Sequence, residues 1–369
     1  MKKFCLLTLL ALLLFSVALA DGTVTVDGTE YEYFSMENGT VHILSCTTEA
    51  TDIVVPATLD GFPVTGIEDS AFSGDILQIV TLPDSIVEII GNPFAGLPEL
   101  TTIIVDPANP AFHVIDNVLF ETATQTLVCY PGGLPDPSYT VPDGTRVIGD
   151  TAFSMSSYLT SITLPASVET IECYAMHLCD ALTHVEIPEG LKTLKHNAFY
   201  GCSSLVSIAL PDSLTTVEGN PFAMCGSLET VEVSLENPAL AVIDGVLFEK
   251  TERRLLFYPS VLTATTYTLP QGIRIIDEYA FCWAPLTEVI LPDSLVEIRS
   301  YAFSACSDLQ TLVLPDSITS LGGFFVYSNQ RHAARRPVRC GYCLFRLLLR
   351  AGRDRDLRGH GRNHQLLRL

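Results

Sequence analysis

Eleven cysteines, eight histidines and 42 carboxylates are the groups with chemistry to offer in this 369-residue chain, and their spacing decides how they are read. Cys179, Cys202 and Cys225 fall 23 residues apart, and Cys306 takes the same slot of a later unit. Recurrence at one register position describes a small buried apolar residue better than a set of disulfides between neighbouring coils. Cys340 and Cys343 form a lone CxxC with no second pair and no suitable histidine, which does not make a zinc or redox site. His42, His113, His177, His184 and His196 include no pair at metal-binding spacing, and no G-x-S-x-G, H-E-x-x-H or phosphate-cradling glycine loop occurs. Asp84, Asp143, Asp212, Asp293 and Asp316 each follow a proline. One carboxylate per unit is too sparse for calcium, so these residues are read as turn formers. No catalytic, metal-binding or cofactor-binding residue is assigned, and enzymatic activity is not expected.

Charge excludes further classes. The chain carries 21 Lys+Arg against 42 Asp+Glu, a formal net charge of -21. Such a balance repels phosphate backbones and anionic lipid, so neither nucleic acid nor a membrane surface is expected as a partner. With 48% hydrophobic residues there is ample material for a core. The charge is also uneven. Residues 1–323 hold 10 Lys+Arg and 40 Asp+Glu, whereas the last 46 residues hold 11 Arg, no Lys and 2 Asp.

At the start, Lys2 and Lys3 precede an apolar run from Phe4 to Leu19 that ends in Ala18-Leu19-Ala20 before Asp21. This is the layout of a secretory signal peptide over residues 1–20, cleaved after Ala20; the run is short for a membrane anchor. The mature chain is therefore expected to be secreted or carried on a bacterial cell surface, with no membrane insertion after cleavage.

The elements that would position any site come from repetition. Aligned on the apolar residue that ends each strand, usually followed by Pro, the units fall at Val55, Leu82, Val105, Val141, Leu164, Ile187, Leu210, Val233, Leu269, Leu291 and Leu314. The intervals are 27, 23, 36, 23, 23, 23, 23, 36, 22 and 23. This is solenoid spacing. A longer echo places Gly91-Asn92-Pro93-Phe94-Ala95 and Gly219-Asn220-Pro221-Phe222-Ala223 128 residues apart, so a block of several units is duplicated. In one unit, Ile208 and Leu210 are two apart and share a strand face. Pro211 cannot donate to a ladder and ends that strand. Val217 and Phe222 supply inward side chains on the return path, and no unit of this size buries them alone. Stacking places each on its counterpart in the next coil. The expected fold is a repeat solenoid, mainly β, coiling right-handed. It has a parallel β-sheet on one face and short β or 3-10 segments on the other. The 36-residue units contain Val118-Leu119-Phe120 with Leu127-Val128-Cys129-Tyr130, and Val246-Leu247-Phe248 with Leu255-Leu256-Phe257-Tyr258; these read as two inserted β-hairpins.

The unit resembles the leucine-rich repeats of BspA-type bacterial surface proteins, a class of 22 to 23-residue repeats written L-P-x-x-L/V-x-x-I-x-x-x-A-F-x-x-C-x-x-L. The match is close from Leu291-Pro292-Asp293-Ser294-Leu295 through Ile298, Ala302-Phe303, Cys306 and Leu309, and it runs from about Thr51 to about Ser320. The expected organisation is a signal peptide at 1–20, an N-terminal β cap at 21–50, a leucine-rich-repeat solenoid at 51–323 and an aberrant Arg-rich tail at 324–369. After Leu321-Gly322-Gly323 the repeat breaks off, and arginine-only basicity is what a frameshift into another reading frame yields; a basic tail that grips anionic polymer is the alternative. Proteins of the resembled family are often proposed to be adhesins, so the resemblance implies adhesion to host or other bacterial cells.

Alternation along the strands places two rows of side chains on the open face. The candidate partner-binding residues are Thr81, Ile104, Ser161, Thr163, His184, Glu186, Ser207, Thr230, Glu232, Glu288, Ile290 and Thr311. They are small, β-branched or sparsely charged, which suits recognition of a protein partner through many weak contacts. The competing expectation is a rigid structural spacer that holds a missing C-terminal domain away from the cell.

Overall fold

Pro-x-Ser and Pro-x-Gly segments close the turns that follow most strands of the coils. The prolines end a strand, and their carbonyls accept from the residue three further on, as in Val168 N to Pro165 O at 3.0 Å and Leu214 N to Pro211 O at 3.1 Å. The serine of that turn then ties one coil to its neighbour: Ser213 Oγ donates to Leu191 O at 2.7 Å and Ser317 Oγ to Leu295 O at 2.6 Å. These contacts are seen in a computed structural model that describes residues 22–323. The expected signal peptide at 1–20 and the Arg-rich segment at 324–369 lie outside the described residues. The chain forms β-solenoid turns, about 12 in all, with no helix among the described residues.

Two units are distinguished, Met1–Asp136 with Thr145–Tyr158, and Pro137–Gly144 with Leu159–Leu369. In the first, Gly22–Val26, Thr29–Ser35 and Val41–Thr47 form an antiparallel meander. Its first turn places Asp27 and Gly28 at φ 50° and 84°, the left-handed geometry of a two-residue hairpin. Val41–Thr47 then pairs in parallel with Phe62–Ile67, and that strand with Glu88–Ile89. A second parallel sheet joins Asp52–Val54, Ile79–Leu82 and Thr102–Val105, with Ile53, Val80 and Ile103 in one register column, all buried.

The second unit repeats this arrangement. Ser138–Thr140, Ser161–Thr163 and His184–Glu186 form one parallel sheet, Ser207–Leu210 and Thr230–Val233 another, and Thr266–Thr268, Glu288–Ile290 and Thr311–Leu312 a third. Inward Ile162 pairs with Val185 and Ile208 with Val231, each under 5% exposed. Leu164 and Leu210 are likewise buried, and Ile187 is half-buried. Two-residue strands line the return path, Thr170–Ile171, Thr193–Leu194 and Thr216–Val217 in register, so this side is β and turn; no 3-10 segment occurs among the described residues. Buried phenylalanines stack between coils, Phe199 on Phe222 at 5.6 Å and Phe281 on Phe303 at 4.9 Å with planes 3° apart. The last spacing matches the distance between neighbouring strands, so each ring rests on its counterpart.

The 36-residue units hold more than the expected hairpins. Each is a three-stranded meander: Phe112–Ile115, Val118–Glu121 and Thr126–Cys129 in one, Leu240–Ile243, Val246–Glu249 and Arg254–Phe257 in the other. The additional strand is joined through Asp116-Asn117 (φ 49° and 65°) or Asp244-Gly245 (φ 52° and 81°). Asp, Asn and Gly tolerate this conformation, so a tight two-residue turn joins the strand that the sequence reading did not include.

Candidate functional site

Every one of the twelve candidate face residues lies at an outward strand position, exposed or half-exposed, while the residue beside it in each strand is buried. In the first unit Thr81 pairs in register with Ile104, itself 46% exposed. Val54 extends that column on the other side of Thr81 and is 70% exposed; the sequence reading did not include it. In the second unit Ser161 lies opposite His184 and Thr163 opposite Glu186, Ser207 opposite Thr230, Ala209 opposite Glu232, and Glu288 opposite Thr311. Ile290 pairs with Thr268. Two shallow depressions open on these sheets. One of about 190 Å3 is lined by His184, Glu186, Ser207, Ala209 and Glu232, and one of about 390 Å3 by Glu288, Ile290, Thr311, Val313 and Pro315. A rigid sheet with exposed β-branched side chains and spaced carboxylates can bury apolar area and accept hydrogen bonds from a partner.

The cysteine column is buried, and its thiols are held by backbone carbonyls of the adjacent coil. Cys202 Sγ donates to Met176 O at 3.1 Å, Cys225 Sγ to Phe199 O at 3.0 Å and Cys306 Sγ to Phe281 O at 2.9 Å. Burial pushes the Cys306 and Cys129 thiols up to about 12, and the Cys202 thiol well above its ordinary value. Cys46, Cys129, Cys202, Cys225, Cys282 and Cys306 are free thiols. His42 is 4% exposed, packs on Phe34 and lies 3.1 Å from Glu68. Asp84, Asp143, Asp212, Asp293 and Asp316 are exposed in the post-strand turns. Among the described residues no three His, Cys, Asp or Glu side chains are grouped to hold a metal ion, and no helix is long and apolar enough to cross a membrane.

A second feature of the second unit escaped the sequence reading. Arg254, on the last strand of the meander, is buried where that strand meets the Thr216–Val217 strand. Its Nη1 lies 2.7 Å from Asp277 Oδ2, its Nη2 donates to Val217 O at 2.7 Å, and its Nε lies 3.1 Å from Glu252. Arg299 Nη1 bonds the other Asp277 oxygen at 3.0 Å. The guanidinium thus supplies the donor to an edge carbonyl where no backbone N–H of a paired strand does. Above this cluster opens a cleft of about 490 Å3, lined by His196, Glu218, Glu252, Glu278 and Arg299 among others. Burial raises the Glu278 carboxyl above the usual glutamate range; Asp277 adds to the rise, against the pull of His196 and Arg299. In the duplicated block the counterparts of Arg254 and Asp277, 128 residues earlier, are Thr126 and Gly149. A charged pair confined to one copy of the duplication was the available signal.

The BspA type Leucine rich repeat region matches in six copies, over residues 45–130, 137–252 and 255–333. A leucine rich cell surface protein from Faecalibacterium prausnitzii A2-165 is similar in structure at 21% identity, over 83% of this chain and 86% of that one, with a TM-score of 0.48. The pneumococcal vaccine antigen PcpA is similar at 23% identity over 82% and 78%, with a TM-score of 0.45. A leucine-rich repeat protein from Eubacterium ventriosum matches at 17% identity over 83% and 95%, with a TM-score of 0.39. No curated protein matches the chain.

Proposed function

The chain belongs to the BspA-type leucine-rich-repeat family, and on that premise we propose that it is an exported, non-enzymatic bacterial surface or secreted protein that binds a protein partner through its open strand faces. The observation that carries this reading is the pair of in-register outward rows, Ser161–His184 with Thr163–Glu186, set on a fully buried inner column. Repetition at strand spacing holds such rows rigid before contact, so little conformational entropy is lost on binding. The leader pattern at Lys2, Lys3 and Ala18-Leu19-Ala20 supports export, and adhesion to host or other bacterial cells is the form of binding proposed.

Charge-introducing replacements on the face test it. The Ser161→Lys/Thr163→Lys/Ser207→Lys variant changes only outward positions and is expected to keep its circular dichroism spectrum. Loss of adhesion and of partners recovered by pull-down supports recognition through the face. Unchanged adhesion and partner recovery would transfer the role to a rigid spacer.

A further inference from the structure

Six aromatic rings form an unbroken chain of contacts along the turn side of the second unit. Tyr174 meets His177 and His196 edge-on at 5.6 Å and Tyr200 at 5.8 Å; Tyr200 meets Tyr279 at 6.1 Å, and Tyr279 stacks on Tyr301 at 5.0 Å. All six are half-buried, so their outer edges face solvent. Repeat geometry does not require aromatic residues here. Ser70 and Thr151 of the first unit hold the slot of Tyr174, Tyr279 and Tyr301 with the same left-handed backbone, φ 54° and 51°.

This aromatic wall borders the cleft above Arg254. His196 belongs to both, and Glu278 and Arg299 lie next to Tyr279 and two residues from Tyr301. Five carboxylates line the cleft, Glu218, Glu249, Glu252, Asp277 and Glu278, against two arginines that both bond Asp277. Within the wall, the Asn197 carboxamide is 1% exposed and donates to Tyr174 Oη at 2.8 Å. Its Oδ1 has no hydrogen-bond partner among the described residues. The surroundings therefore hold surplus negative charge beside tyrosine rings, and both favour a cation that brings N–H donors.

We propose that this cleft and its tyrosine-histidine wall form a second docking site that takes a lysine- or arginine-bearing extended segment of a protein partner. The site rests on the reading of the chain as a binding protein but uses none of the strand-face residues, so the two stand or fall separately.

Titration calorimetry of the full chain with a short synthetic peptide alternating Arg and Ser tests the site. A peptide with Glu in place of Arg and a neutral hexose oligosaccharide serve as the other ligands. Because residues 324–369 contain 11 Arg, each titration is repeated on a full chain with those arginines replaced by Ser. The Arg peptide is expected to bind in at least the second background, more weakly as salt is added. Glu218→Gln/Glu278→Gln is expected to weaken it roughly tenfold, equivalent to about 1.4 kcal/mol. Tyr279→Ala should cost roughly threefold, with Tyr279→Phe retaining affinity to show that the ring and not the fold is responsible. The Ser161→Lys/Thr163→Lys/Ser207→Lys variant should bind the peptide as the parent does. No binding in either background, equal binding of the Glu peptide, preference for the oligosaccharide, or indifference to the Glu218 and Glu278 replacements would overturn the proposal.

Discussion

Arg254 and Asp277 are 7% and 1% exposed in their side chains, so each depends on the other for its charge to be tolerated. Arg254→Met leaves Asp277 with only Arg299 as a cationic partner and leaves Val217 O without its donor. A loss of about 3 kcal/mol in urea unfolding is expected. The Arg254→Met/Asp277→Leu double variant should lose less than the sum of its singles, because the buried Asp277 charge that Arg254 balances is removed with it. The thiols make a different prediction. With its pKa at about 12, Cys306 stays protonated at pH 8, and an alkylating reagent should modify it, like buried Cys202 and Cys225, only after denaturant is added. Labelling of these three in the native protein, read by peptide mass spectrometry, would contradict the column. Glu278 gives the site a pH dependence. The charged groups around it are His196, Asp277 and Arg299, with Glu218 also lining the cleft. On acidification Glu278 takes up its proton at a higher pH than an ordinary glutamate, which weakens binding of a cationic peptide. Its raised folded pKa acts on stability in the opposite direction from the usual carboxylate, since the folded form binds the proton more tightly and gains as pH falls.

The turns of the coil are where single elements carry strain. Met155, Leu178, Met224, Trp283 and Ala305 hold a left-handed backbone at one register position, where Gly74, Gly96 and Gly201 hold a positive φ without penalty. Met155 is the simplest case, being 40% exposed at φ 59°. Met155→Gly is expected to stabilise the protein by about 0.5–1 kcal/mol, the relief of left-handed strain less the entropy that glycine adds to the unfolded chain. A lower denaturation midpoint for this variant would show that the methionine packs to more effect than its exposure implies. The phenylalanine stack behaves oppositely: Phe281 rests on Phe303 at 4.9 Å and is fully buried, so Phe281→Ala should cost about 3–5 kcal/mol.

Across the molecule the dominant force outside the core is self-repulsion. Residues 1–323 hold 40 Asp+Glu against 10 Lys+Arg, and described ion pairs such as Lys192–Glu169 at 2.8 Å join basic side chains to a few of these carboxylates. Screening should therefore stabilise: the urea midpoint is expected to rise as NaCl is increased from about 0.01 M to about 0.15 M, over which the Debye length falls from about 30 to about 8 Å. A midpoint that falls with salt would mean that local pairs such as Arg254–Asp277 outweigh the net field.

Inside and outside were legible residue by residue, because a strand alternates with period two and a 23-residue repeat returns each side chain to the same slot. That is why Ile162 and Val185 could be placed in the core, Thr163 and Glu186 on the open face, and Cys202 in a buried column. The turns after Pro165 and Pro211 were legible for the same local reason. The third strand of each meander was not, since Val114 and Val242 carry no mark distinguishing a loop from an edge strand until the positive-φ turns at Asp116 and Asp244 close. The arginine cluster and the aromatic wall were hidden more deeply. The inserted meander lets residues 277–284 stack beside 219–225, where Asn220 Nδ2 donates to Glu278 O at 3.1 Å, and so brings Tyr279 to Tyr200 and Asp277 to Arg254. Contacts between a regular unit and an irregular one follow from how the coils pack in space, and no repeat spacing encodes them.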